Sequence, residues 1–137
     1  MFQPSIFGEP QPSLEWFGGY SFGWESALGD LRQWCAGSVV SPNPNTLPRA
    51  ASDLPDTCPV IVDNGAFRAF RDGLEYTLED QCRAIREAVE MMGDRVEWIV
   101  LPDVITDAHE TLWRVERSYQ LIGDLFHDAR AMLPIQE

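Results

Sequence analysis

Asp63, Asp103 and Gln136 each follow a short apolar run with the character of a buried β-strand. Asp63 and Asn64 come directly after Val60-Ile61-Val62, Asp103 after Leu101-Pro102, and Gln136 after Leu133-Pro134-Ile135. In parallel α/β folds, polar residues just past the carboxyl ends of strands line the mouth where ligands bind. Carboxylates accept from ring N–H and amino groups, and an amide both donates and accepts, so the set suits a small planar heterocycle. Phe67 or Phe70 offers an aromatic face for such a ring, and Gly65 lets backbone approach it closely. Arg68 and Arg71 follow and either meet a phosphate or, with Arg83 and Arg86, form a solvated helix surface.

The same residues have plainer uses. Asp63-Asn64-Gly65 is also the composition of a tight turn, in which Asp bonds the backbone and Gly supplies positive φ. Asp103 after a proline is also a loop-end or capping residue. The residues alone leave both readings open.

Other chemistries find little support. His109 and His127 have no partner at metal-ligand spacing. Ser38 and Ser41 lack the G-x-S-x-G setting of an activated serine, and Gly18-Gly19 with Gly23 lacks the spacing of a dinucleotide-binding loop. Cys35, Cys58 and Cys82 are odd in number and widely spaced, which points to buried thiols in a reducing compartment.

The elements that must carry these residues alternate along the chain. Residues 1–13 hold three prolines and read as an irregular lead-in, and Leu14-Glu15-Trp16-Phe17 reads as a short strand. Leu28, Leu31 and Trp34 suit a short helix between Trp24 and Trp34, and residues 38–41 a buried strand. Five prolines in residues 42–59 make a loop, with room for a helical turn near Ala50. Val60-Ile61-Val62 is continuous rather than alternating in apolarity, the habit of a parallel strand covered on both faces.

After the bend, Thr77 with Asp80 predicts the start of a helix, along which Leu78, Cys82, Ile85, Val89 and Met92 form one apolar stripe. Residues 96–101 form another strand. Asp107 with Glu110 starts another helix, with a stripe of Leu112, Val115, Tyr119 and Ile122, and residues 132–136 open a last strand. This order predicts an α/β fold with a parallel sheet and right-handed crossover helices, either open and doubly wound or part of a (β/α) barrel. The 137 residues suit one domain, with barrel-like βα units over 38–137.

Net charge is −12, and all ten basic residues are arginine. Such a surface repels phosphate backbones and anionic membranes, except where arginines gather at one cleft. No run approaches the ~18 apolar residues of a membrane span, and no basic-then-apolar leader opens the chain, so the expected location is cytoplasmic, without membrane partners.

Taken together, "VDNGAF" with "FRDG", "VEWIVLPDVITDAHETLWR" and "LPIQ" resemble the first part of the tRNA-guanine transglycosylase superfamily. The likeness runs over residues 38–136 and is nearest to the phage and bacterial branch that inserts 7-deazaguanine bases into DNA. It implies the N-terminal portion of a TIM-type (β/α) barrel, or a half-barrel, that binds guanine or a 7-deazaguanine for base exchange in DNA or tRNA. Asp63 matches the acid beside the reacting base, Asp103 the carboxylate that reads the purine edge, and Gln136 the amide after the next strand; Asn64, Gly65 and Phe67 complete the base site. No cofactor is expected.

The family's nucleophilic aspartate stands on a later strand, its zinc-binding cluster, where present, also comes later, and a complete barrel needs ~250 residues. The resemblance therefore implies a partial or truncated form, or a chain completed by a partner or a second copy of itself. Asn64 replaces a common serine, and Glu137 follows Gln136 where the family has glycine. Two other functions fit the residues: a non-catalytic interaction protein using its acidic surface and an open sheet edge, and a carboxylate-pair hydrolase cleaving a glycosidic bond with Asp63 and Asp103.

Overall fold

The computed structural model describes residues 17–19 and 37–134. Five strands form one sheet: β1 (Phe17–Gly19), β2 (Gly37–Val40), β3 (Val60–Val62), β4 (Val96–Val100) and β5 (Arg130–Met132). All neighbours pair parallel, and the order across the sheet is the order along the chain. At β3 all three side chains are buried, as its unbroken β-branched run predicts. An irregularity between Val60 and Ile61 shifts the register toward β4, so that Ile61 faces Trp98 and Val62 faces Ile99.

Among the described residues the crossovers carry four α-helices: α1 (Leu47–Asp53) after β2, α2 (Ala66–Asp72) and α3 (Leu78–Met92) after β3, and α4 (Ala108–Ile122) after β4. Helix α3 packs on β3 and β4, with α1 on one side of it and α4 on the other. The core lies between this helical layer and one face of the sheet. Val40, Val60, Val62, Val96 and Ile99 meet Leu47, Leu78, Cys82, Ile85, Ala88, Met92 and Ile122 there. Arg95 ties the layer together by donating to the carbonyls of Ala51, Leu54 and Met92. Arg86 does the same between helices, gripping both carboxylate oxygens of Asp124 at 2.7 and 2.8 Å.

Both helix starts read from the sequence carry their caps. The Thr77 hydroxyl accepts from the Asp80 N–H at 3.1 Å, and the Asp107 carboxylate from the Glu110 N–H at 2.9 Å. The helical turn expected near Ala50 is α1, with Pro48 in its first turn, where a missing N–H does no harm.

Three expectations need correction. The bend after β3 leads directly into α2, which the sequence hides because its small residues Ala66 and Ala69 are buried while Phe67 and Phe70 face outward. Helix α4 buries Thr111, Ser118 and Ile122, whereas Leu112 is 68% exposed and the Tyr119 ring leans outward onto Phe126, with 5.5 Å between ring centres. The inward stripe is therefore rotated by about one residue from the apolar one. Strand β5 begins at Arg130, two residues before the predicted start. The lead-in, Leu14-Glu15-Trp16, the helix predicted between Trp24 and Trp34, and Gln136 lie outside the described residues. No helix among the described residues is long and apolar enough to cross a membrane.

Candidate functional site

At the carboxyl end of β3 the ladder runs one residue past the strand, since the Asp63 N–H donates to the Val40 carbonyl at 2.9 Å. The chain then turns sharply. Gly65 takes φ 76°, the left-handed region where a Cβ is disfavoured, and opens α2 immediately. A side chain there would also meet Pro42 and Tyr76 at 3.4 Å. The glycine thus allows Asp63 and Asn64 to sit between a strand end and a helix start with almost no loop.

Asn64 is buried and fully occupied. Its Nδ2 donates to the Leu101 carbonyl at 2.7 Å and to Asp103 Oδ1 at 2.6 Å, while its Oδ1 accepts from the Ala66 N–H at 2.9 Å. One side chain therefore joins the ends of β3 and β4 and starts α2. With both amide hydrogens engaged, its part in any site is to aim Asp103 rather than to donate to a ligand.

Gln81, 0% exposed in the first turn of α3, supports the same junction. Its Nε2 donates to the Asn64 carbonyl at 3.2 Å and to the Asp103 carbonyl at 3.3 Å, and its Oε1 accepts from Arg114 Nη1 at 3.1 Å. Arg114, on α4, also donates from Nη1 to the Tyr76 carbonyl at 2.6 Å and from Nε to Glu110 at 3.1 Å. The loop after Asp103 is pinned in turn by the Thr111 hydroxyl, which accepts from the Val104 N–H and donates to the Val104 carbonyl. A polar network thus crosses from β3 through β4 and α3 to α4.

The two carboxylates are neighbours. Burial pushes the Asp63 carboxyl above the usual carboxylate range; the backbone N–H groups of Asn64 and Gly65 oppose that shift, and the charge of Asp103 adds to it. Asp103 itself is buried among the network and lines a cleft of about 210 Å³ with Ala66, Phe70, Tyr76, Val104 and Arg114. This cleft holds an acceptor, a cation and two aromatic rings within one small volume.

Compared with known proteins, the chain matches no family model, no curated protein and no solved structure. The site therefore rests on its own geometry. Asp63, Asn64, Gly65 and Asp103 come together at one end of the sheet. Phe67 does not line the cleft and is 64% exposed; the ring that lines it is Phe70. Gln136 lies outside the described residues. Among these residues no group of three or more His, Cys, Asp and Glu is arranged to hold a metal ion.

Gln81 and Arg114 were not singled out from the sequence, yet each left a trace there. Gln81 stands three residues after Leu78 and four before Ile85, a polar residue inside an apolar stripe. Arg114 stands three after Thr111 and four before Ser118, so it belongs to the inward face of α4 once that face is located.

Proposed function

We propose that the carboxyl end of this sheet binds guanine or a 7-deazaguanine and serves base exchange in DNA or tRNA, as part of a (β/α) barrel or of a half-barrel. The observation that carries the reading is the pair of carboxylates at the ends of adjacent parallel strands, one lining a cleft of about 210 Å³ beside a guanidinium. Pockets for drug-sized ligands start near 300 Å³, so the cleft is scaled to a single heterocyclic base rather than a nucleotide. The barrel assignment is supported by strand order. The strands follow one another without reversal and α1, α3 and α4 pack in one row, whereas a doubly wound sheet reverses its order at a switch point.

The roles follow from the two environments. Asp103 is held rigid by Asn64 and accepts from the N–H edge of the base. In base exchange the departing guanine gains a proton as its glycosidic bond breaks, and the incoming base loses one as the new bond forms. Asp63, whose carboxyl stays protonated to higher pH than usual, is the acid for that proton at the neighbouring strand end; it does not line the cleft, so it takes no part in holding the free base. Phe70 stacks on the ring. The nucleophile that holds the sugar between these steps comes from further barrel strands, of the same chain or of a partner, and the polynucleotide presents its target base unstacked.

Calorimetric titration of the 137-residue protein with 7-deazaguanine tests the base site. Wild type binds, and Asp103→Asn weakens binding at least tenfold, because an amide donor then faces the N–H edge. Absence of binding by the wild type, or equal affinity in the variant, overturns the site.

A further inference from the structure

Arg114 is anchored on three sides and still has one edge to offer. Its Nε is held by Glu110 and its Nη1 by Tyr76 and Gln81, so the guanidinium plane is fixed, with the side chain only 13% exposed. Nη2 has no hydrogen-bond partner among the described residues, and the residue lines the same cleft as Asp103. The guanidinium is largely withdrawn from solvent, and its unused N–H pair at the cleft wall favours an occupant that brings an acceptor. The cleft therefore asks its occupant for two things side by side: hydrogens for Asp103 and an acceptor for Arg114.

Purines differ in this respect. Guanine and its 7-deaza analogues place the O6 acceptor next to donors on N1 and N2, whereas adenine places an N6 donor next to an N1 acceptor. Adenine would set donor against donor at Arg114 and lone pair against carboxylate at Asp103. Removal of N7 leaves O6 as the acceptor on that side, which is all that a single free Nη2 can use.

We infer that Arg114 is the specificity-determining residue of the cleft, donating from Nη2 to the O6 carbonyl of a guanine-type base whose N–H edge lies on Asp103. The inference rests on the base-binding reading above. It selects 6-oxopurines and their 7-deaza analogues over 6-amino and 6-unsubstituted ones.

The test compares 7-deazaguanine with its 6-thio analogue, which keeps the N1 and N2 hydrogens for Asp103 and replaces only the O6 acceptor by a weaker sulfur one, by quenching of tryptophan fluorescence in the full chain. A charge-assisted hydrogen bond predicts that the wild type prefers the 6-oxo compound roughly tenfold. Arg114→Met brings the ratio to about one. A guanidinium that served only to join α4 to α3 would instead lower the thermal midpoint and both affinities together, leaving the ratio unchanged, and that result overturns the inference. Where Arg114→Met does not fold, Arg114→Gln, which retains a donor for the Tyr76 carbonyl, carries the same comparison. A wild type that binds both compounds equally also overturns the role of Arg114 while sparing the base site; a wild type that binds neither sinks the base site itself.

Discussion

Replacing Gln81 by methionine isolates the polar junction from everything else α3 does. The two side chains are similar in length and helix propensity, and methionine fills irregular space well, so neither a cavity nor a helix penalty enters. What is lost is the donor shared by the carbonyls of Asn64 and Asp103, and the acceptor for Arg114 Nη1. Each such bond contributes about 1 kcal/mol net, and a buried polar group stripped of its partner costs about 1–3 kcal/mol. Arg114 keeps the Tyr76 carbonyl, which limits the damage on that side. The expected loss is therefore about 3 kcal/mol. With a urea m-value of roughly 2 kcal/mol per molar, the unfolding midpoint falls by about 1.5 M while the slope stays the same. A loss below about 1 kcal/mol would show that the junction tolerates an apolar centre, and the reasoning that Gln81 holds the strand ends in place would fail.

Further predictions follow from single groups. Asp63 has a folded-state pKa above its unfolded value, so its stabilising contribution is present at low pH and is lost as pH rises through the folded pKa; Asp63→Asn should raise the thermal midpoint at pH 7, and that gain should shrink to nothing below about pH 3.8. Thr106, a β-branched residue at φ 69°, closes a turn in which the Asp107 N–H reaches the Val104 carbonyl; Thr106→Gly should relieve strain and raise stability by about 1 kcal/mol in chemical denaturation. Gly65→Ala should cost about 1–2 kcal/mol, chiefly from the left-handed backbone rather than from crowding. The buried Cys82 thiol, pushed up to about 11, should resist alkylation at pH 8 under native conditions, as peptide mapping after iodoacetamide would show.

How much was legible in the chain depended on whether the local pattern agreed with the tertiary solution. At β3, three β-branched residues between a proline and an acid admitted one reading, and at Thr77 and Asp107 the capping residues sit at the spacing that the hydrogen bonds require. Helix α2 was invisible because its phenylalanines are outside and its alanines inside, an inversion that hydrophobic periodicity cannot detect. In α4 the inward face holds Thr111 and Arg114, which satisfy the Val104 loop and the junction, and Ser118, whose hydroxyl bonds back to the Val115 carbonyl, so the apolar stripe pointed to the wrong side. Of the site, the strand-end acids were readable from their position after apolar runs. Their supports left only a polar residue within a helical face, a mark that does not name hydrogen-bond partners 17 or more residues away in the chain.

The two acids also leave the sheet differently, and this separates their roles. Val60 and Val62 point into the core beneath the helices, and the Asn64 side chain continues that alternation to reach the Leu101 carbonyl and Asp103. Asp63, one residue out of phase, follows Ile61 toward the other face, where Trp98 stands opposite Ile61 and carries the Arg130 guanidinium 5.1 Å from its ring centre. Asp103 opens instead into the cleft bounded by α2 and α4, and Asp63 does not line that cleft. A base read by Asp103 and Arg114 would thus meet Asp63 only at the edge of the sheet, across the Asn64 junction. On this geometry Asp63→Asn should leave affinity for a free base within about twofold, since Asp63 does not line the cleft, while Asp103→Asn reduces it at least tenfold. A larger loss in the Asp63 variant than in the Asp103 variant would place the base on the opposite face of the sheet and reverse the assignment of the two carboxylates.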